Sequence, residues 1–171
     1  AGTVVFMFQP GEEGHHGARE MIADGLLDIA PADAAFALHV QPTLPAGVVA
    51  SRAGPLLAAT DTLHAVIRGV GGHAAMPHEC IDPLPVACEL VGALQAFVTR
   101  RIAVADPAVL SITRIEAGSA HNIVPDAVTL LGTLRTLSPA TRAFAREGFE
   151  RIAHHIAAAH GCTVEVRIDP G

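Results

Sequence analysis

The sequence predicts an α/β fold in two parts. Residues 1–58 read as a fragment of a mainly parallel α/β domain. Residues 59–171 read as a smaller, antiparallel α/β domain. Three observations carry this. Val4–Phe8 and Ala34–Leu38 are unbroken apolar runs, the mark of strands covered on both faces, as in parallel sheets. After Ala59 the texture changes: Leu63, Ala65 and Ile67 alternate with Thr62, His64 and Arg68, as in a strand with one wet face. Two long amphipathic stretches then open with Asp82-Pro83 and Ser138-Pro139, each an N-cap followed by proline at the first helical position.

Between the two apolar runs, Ala18, Met21 and Ile22 mark a short helix. Gly25 stands where a left-handed helix-ending residue is expected, and Val48–Ala50 suggests a further strand. In the second part, the first long helix carries Leu84, Ala87, Cys88, Val91, Leu94 and Val98 on one face. Leu110 and Ile112 lie in a second strand, and Val128, Leu130 and Leu134 alternate in a third. The stripe of the second long helix is Ala145, Phe149, Ile152, Ile156 and Ala159, closed by Gly161. Val164, Val166 and Ile168 alternate with Glu165 and Arg167 in a final strand. The order β-α-β-β-α-β is the split-βαβ, or ferredoxin-like, arrangement, with both helices on one face of a four-stranded sheet.

Half of the 171 residues are hydrophobic and 16% are charged. That is apolar for a domain of this size, and it suggests a piece of something larger or a protein with a substantial interface. The net charge of −6, with arginine as the sole basic residue besides histidine, argues against nucleic acid as a partner. The absence of lysine removes Schiff-base and P-loop chemistry. No apolar run approaches the ~18 residues of a membrane span. No signal peptide is visible, and the first residues lead straight into a strand as if from inside a longer chain. Cys80, Cys88 and Cys162 fit neither a disulfide framework nor a zinc knuckle. They read as reduced, buried thiols of a cytoplasmic protein.

Gln9–Gly14 follows the first apolar strand and His39 ends the second. Sites in parallel sheets form at the carboxyl ends of strands, so Glu12, Glu13 and His39 arrive at one edge. Glutamate and histidine suit a divalent cation, and a carboxylate that is not a ligand suits a general base. Spacing leaves a second reading equally open, in which the glutamates favour a helix N-terminus by charge and His39 is a packed strand residue. In the second part, His73 follows Gly71-Gly72 in a loop that also contains His78. A substrate contact there is favoured over a zinc pair, and on spacing alone a plain loop is favoured over both. Ala120–Asp126 is a second polar loop. Arg135 points away from the Leu134 face, either solvated or clamping a carboxylate. His15 and His16 lie beside the glutamates; His154, His155 and His160 ride a helix and read as solvated. No GxSxG elbow surrounds any serine, which disfavours acyl transfer through one.

The ordered set of motifs resembles the metal-dependent aminoacylase/carboxypeptidase family, in its hippurate hydrolase and indole-acetyl-amino-acid hydrolase subgroup. It comprises Phe8–Gly14, Gly17–Asp28, Ala37–Val40, Gly69–His78, Asp82–Gln95, Ala120–Asp126 and Gly132–Ser138. The resemblance implies a two-metal amidohydrolase that splits an N-acyl amino acid into a carboxylic acid and an amino acid. The two divalent ions could be zinc, manganese, cobalt or nickel. By resemblance Glu12 is the general base toward a metal-bridging water, and Glu13 and His39 are metal ligands. Residues 59–171 are then the lid through which a homodimer forms. His73 would reach the partner protomer's site to stabilise the oxyanion, and Asn122 and Arg135 would hold the substrate carboxylate.

Two departures from the family pattern matter. A His/Cys-containing ligand segment expected before residue 1, and a ligand histidine expected after the lid, have no counterpart in this chain. The chain is therefore expected to be inactive alone and to bind few or no ions. His15 and His16 stand where the family has small residues. The alternative is a ferredoxin-like dimerisation or ligand-binding module without catalysis. An upstream His-x-Cys-Gly-His-Asp-like segment in the gene would decide for the hydrolase.

Overall fold

The structure, a computed structural model, describes residues 2–11 and 14–171. The chain divides into two compact units, Ala1–Ser51 and Arg52–Gly171.

In the first unit, α1 (Gly17–Ala23) and α2 (Leu26–Ile29) are short helices separated by Gly25, which takes φ 88°. No strand forms among the described residues of this unit. The strands expected at Val4–Phe8, Ala34–Leu38 and Val48–Ala50 run without ladder partners. Their side chains are uncovered: Phe8 is 86% and Phe36 93% exposed. The physical reason is pairing. An apolar run becomes a strand only when neighbours take up its backbone N–H and C=O groups and something covers both faces.

The second unit is the four-stranded ferredoxin-like sandwich expected. Strands β1 (Ala59–Arg68), β3 (Ala108–Ala117), β5 (Ala127–Thr136) and β6 (Thr163–Pro170) form one sheet in the order β3-β5-β1-β6. All three pairings are antiparallel. Helices α3 (Pro83–Arg101) and α4 (Pro139–Ala159) pack on one face. Period-2 alternation sends Leu63, Ala65 and Ile67, with Val128, Leu130 and Leu134, into the core beneath them. Both helices begin as their sequences predict. Asp82 Oδ1 accepts from Leu84 N–H at 2.9 Å, and Ser138 Oγ accepts from Thr141 N–H at 3.1 Å. Helix α4 ends on Gly161 in the left-handed region, φ 72°. Cys162 N–H reaches the Ala157 carbonyl at 2.9 Å and Gly161 N–H that of Ala158 at 3.1 Å, a Schellman closure.

The stripe of α3 differs from expectation. Val86, Ala87, Leu90, Leu94 and Phe97 are buried, whereas Leu84 and Cys88 face solvent. The helix is apolar on so much of its circumference that two stripes one residue apart satisfy the same spacing, and packing against α4 selects between them. Phe97 decides it. Its ring lies over Gly148 of α4, where a Cβ would stand 2.1 Å from Cζ, and it sits 5.4 Å from the Phe144 ring. The rotation also turns Cys88 outward, and of the three thiols expected to be buried only Cys162 is: Cys80 is half-buried and Cys88 is exposed. Burial, then the nearby Asp82 charge, push the Cys162 thiol above its ordinary value. No helix among the described residues is long and apolar enough to cross a membrane.

Candidate functional site

A second, two-stranded ladder escaped sequence reasoning, and it organises the His73 loop. Strands β2 (Gly72–His73) and β4 (Ile123–Val124) pair antiparallel, with Gly72 opposite Val124 and His73 opposite Ile123. Ala74 N–H also donates to the Asn122 carbonyl at 3.0 Å. Missing side chains let the backbones come this close. A Cβ on Gly69 would lie 2.0 Å from the Ile81 carbonyl oxygen, on Gly71 2.6 Å from that of Val124, and on Gly72 2.7 Å from Cys80 Sγ. Asp126 locks the arrangement: its Oδ1 accepts from Gly71 N–H and its carbonyl from Gly69 N–H, both at 2.9 Å. The signal for Asp126 was its place at the end of the second polar loop, yet its partner is set by a glycine and leaves no trace in spacing.

His73 and Asn122 are thereby brought together, both exposed. His73 Nδ1 accepts from Ala75 N–H at 3.1 Å, so in the neutral ring the proton sits on Nε2, which is left to donate. A hydrogen-bond donor at the end of a glycine-tightened loop can stabilise developing negative charge.

Arg135 stands elsewhere. It is exposed on the sheet face opposite the helices, with Thr60 of β1 and Val109 of β3 directly across from it. Its Nη1 donates to Thr60 Oγ1 at 3.0 Å. Eight residues of β5 separate it from Ala127, at the end of the strand next to β4. At ~3.4 Å per residue that is about 27 Å. Within one chain, Arg135 therefore does not meet His73 and Asn122.

Behind Arg135, on the helix side, Asp61 is 1% exposed. Its carboxylate takes Arg142 Nε at 2.9 Å and Nη2 at 2.7 Å. The hydrogen bonds to Asp61 hold the Arg142 guanidinium above its ordinary pKa, against the opposing effect of burial. Arg142 also borders a shallow cavity of about 310 Å³ with Leu57, Leu137, Pro139 and Arg146. None of the described residues predicted to act lines that cavity. Nearby, hydrogen bonds from Ser138, then Thr141, lower the pKa of Asp106 and tie the loop before β3 to the start of α4.

In the first unit, Glu12 and Glu13 lie outside the described residues. The flanks of that segment turn back on themselves. Gly11 and Gly14 take φ 56° and 77°, His16 takes φ 53°, and Gly17 N–H reaches the Gly11 carbonyl at 3.3 Å. Only glycine fits at position 17, since a Cβ there would lie 1.4 Å from the Pro10 carbonyl oxygen. His39 is exposed, with Nδ1 2.7 Å from the Val40 carbonyl oxygen. That oxygen can only accept, so Nδ1 carries the proton and the Nε2 lone pair is free, the form in which histidine binds a metal. The chemistry of His39 thus fits a metal ligand. Among the described residues no three His, Cys, Asp or Glu side chains gather as a metal site.

The helical histidines are exposed, as expected. His160 pairs with Glu89 at 2.7 Å and His155 caps the Arg151 carbonyl at 2.8 Å.

Comparison with known proteins agrees with this architecture. Residues 60–161 match the family model described as Peptidase dimerisation domain. The chain is 40% identical over 169 residues to the N-acetylcysteine deacetylase of Bacillus subtilis, covering 99% of this chain and 44% of the relative. It is 37% identical to Thermostable carboxypeptidase 2 of Saccharolobus solfataricus, covering 98% and 42%. It is 39% identical to IAA-amino acid hydrolase ILR1-like 2 of Arabidopsis thaliana, covering 99% and 38%. The chain thus spans less than half the length of these curated relatives. Among solved structures, the Bacillus subtilis YXEP protein, a dinuclear metal binding peptidase from the M20 family, superposes with TM-score 0.72 at 34% identity, covering 95% of this chain and 39% of that one. A chain from methicillin-resistant Staphylococcus aureus superposes with TM-score 0.88 at 28% identity, covering 95% and 43%. With its β3-β5-β1-β6 sandwich and these matches, the chain belongs to the peptidase dimerisation domain family of the M20 peptidases.

Proposed function

We propose that this chain is the central part of a two-metal amidohydrolase that cleaves N-acyl amino acids to a carboxylic acid and an amino acid. It acts as a cytoplasmic homodimer joined through residues 59–171, and residues 1–58 belong to the metal-binding domain. The names of the relatives support the chemistry: deacetylase, carboxypeptidase and amino acid hydrolase all describe cleavage of an amide or peptide bond to an amino acid. Three unpaired cysteines accord with a reducing compartment.

The observation that carries the dimeric site is the separation of the polar groups. His73 and Asn122 stand together at one end of the sandwich and Arg135 stands at the other. A two-fold dimer can unite them over one substrate, His73 and Asn122 coming from one protomer and Arg135 from its partner. Glu13 and His39 would help to hold the ions, which supply Lewis acidity that polarises the amide carbonyl and makes water more acidic. Glu12 accepts the proton of the attacking water. The water oxygen bonds to the carbonyl carbon, the C–N bond breaks, and the amine leaves with a proton. The Nε2–H of His73 donates to the carbonyl oxygen as it gains charge. Asn122 and Arg135 hold the carboxylate of the amino acid.

Subunit exchange tests this reading. Full-length Glu12→Ala and His73→Ala proteins are each expected to be inactive. Mixed so that subunits exchange at random, half the dimers carry one site with both defects and one with neither, so activity returns to about a quarter of wild type. A mixture shown by mass spectrometry to exchange, yet still inactive, would overturn the shared site.

A further inference from the structure

We infer that Thr60 is a positioning residue for Arg135, holding the guanidinium so that its Nε–Nη2 edge is presented to the substrate carboxylate. The inference deepens the proposed function and rests on the reading that Arg135 binds that carboxylate. Arg135 is exposed on an open sheet face, where a long side chain ordinarily samples many rotamers and loses that freedom on binding. Here it has a partner on one side only. Thr60, directly opposite on β1, accepts from Nη1 at 3.0 Å. Val109, directly opposite on β3, offers no acceptor. The contact occupies Nη1 and leaves Nε and Nη2 without a partner among the described residues. Those two N–H groups are parallel and match the two oxygens of a carboxylate.

The backbone that carries the hydroxyl is itself held in place. The Thr60 carbonyl accepts from Gly171 N–H at 2.9 Å and from Arg142 Nη2 at 3.3 Å. The next residue, Asp61, is clamped by the same Arg142 on the helix side of the sheet. Alternation along β1 puts Asp61 and Thr60 on opposite faces. A pair of buried Asp61 and half-buried Arg142 on the helix side therefore fixes the backbone that aims a hydroxyl out of the other side, and that hydroxyl orients the arginine.

The test uses the metal-loaded full-length protein with the N-acetyl amino acid it turns over fastest and the carboxamide of that same compound. Thr60→Val keeps the branched shape of the side chain and removes the acceptor. It is expected to raise KM for the free acid by about three- to tenfold, the worth of one side-chain hydrogen bond. It should leave kcat, the kinetics on the carboxamide and the thermal midpoint unchanged, and Thr60→Ser should restore the acid KM. In the ¹⁵N spectrum, the Arg135 Nε–H resonance should be sharp in the wild type and broadened in Thr60→Val. If Thr60→Val leaves the acid-to-amide ratio intact while Arg135→Ala abolishes it, Arg135 needs no help from Thr60 and the inference fails. Equal damage to acid and carboxamide would reduce Thr60 to a structural residue, also a failure. If Arg135→Ala itself leaves the ratio unchanged, the carboxylate reading falls first and the inference falls with it.

Discussion

The two units of this chain contain similar apolar segments and put them to opposite ends. In the second unit, Leu63, Ala65 and Ile67 are fully buried, paired through β1 to strands on both sides and roofed by two helices. In the first unit, Phe6, Phe8, Phe36 and Leu38 are uncovered, although their runs are more apolar. Hydrophobicity alone does not make a core. Backbone partners and a covering layer must come with it, and the β-α-β-β-α-β unit supplies both from its own sequence. The contrast extends to the proposed chemistry: the residues assigned to metal and proton transfer lie in the unit whose described residues form no buried apolar core, and those assigned to recognition lie on the unit with one.

The widest test of that contrast is functional. In the full-length protein, Glu12→Gln is expected to cost about 10²–10⁴ in kcat while metal content stays near normal, because a base acts on water without holding the ion. Glu13→Gln is expected to lose metal as well, read by elemental analysis. Neither should move the thermal unfolding of the second unit, and equal metal loss in both would overturn the division of roles.

Packing offers the next test, on the chain itself in urea. Phe149→Ala empties the largest fully buried position and is expected to cost about 3–5 kcal/mol. Phe8→Ala, at an uncovered position, is expected to change stability by less than about 0.5 kcal/mol. Similar losses in the two would mean that the first unit is packed after all. A smaller loss, about 1–3 kcal/mol, is expected from Gly148→Ala, whose new methyl must displace the Phe97 ring at the α3–α4 crossing. The paired change Gly148→Ala/Phe97→Leu should recover part of it.

The smallest effect is electrostatic. The hydroxyls of Ser138 and Thr141 hold Asp106 below its ordinary carboxylate value of 3.8. A carboxyl with a depressed folded-state pKa adds stability above its unfolded value, and that stability fades as pH falls through the folded one. The urea midpoint of the wild type should therefore drop on acidification below about pH 4. Asp106→Asn should lack that portion of the drop; parallel pH profiles for the two proteins would remove Asp106 from the account.

The second unit was legible because its rules are local. Alternation, the Asp82-Pro83 and Ser138-Pro139 caps and Gly161 each act within a few residues, and together they specify order, pairing and faces. What escaped was fixed at a distance. The α3 stripe was turned by Phe97 meeting a glycine 51 positions on. The β2–β4 ladder depends on Gly69, Gly71 and Gly72 meeting Ile81, Val124 and Cys80. Thr60 and Asp61 owe their roles to Arg135 and Arg142, residues that no spacing rule connects to them. For the candidate site, the motifs put forward His73, Asn122 and Arg135 as candidates, but their arrangement at opposite ends of the sandwich followed only from the register of β1, β5 and the small ladder.

The position of β1 has a consequence for how the chain is made. It leads the second unit in sequence and lies inside its sheet, flanked by β5 and β6, the last two strands of the large sheet to leave the ribosome. Some 95 residues separate the end of β1 at Arg68 from the start of β6 at Thr163. At ~5–20 residues per second, about 5–20 s pass before the second neighbour exists. Throughout that interval Leu63, Ala65 and Ile67 form an apolar ribbon on a nascent polypeptide, and the sheet of this unit cannot be completed until β6 arrives to cover the free edge of β1.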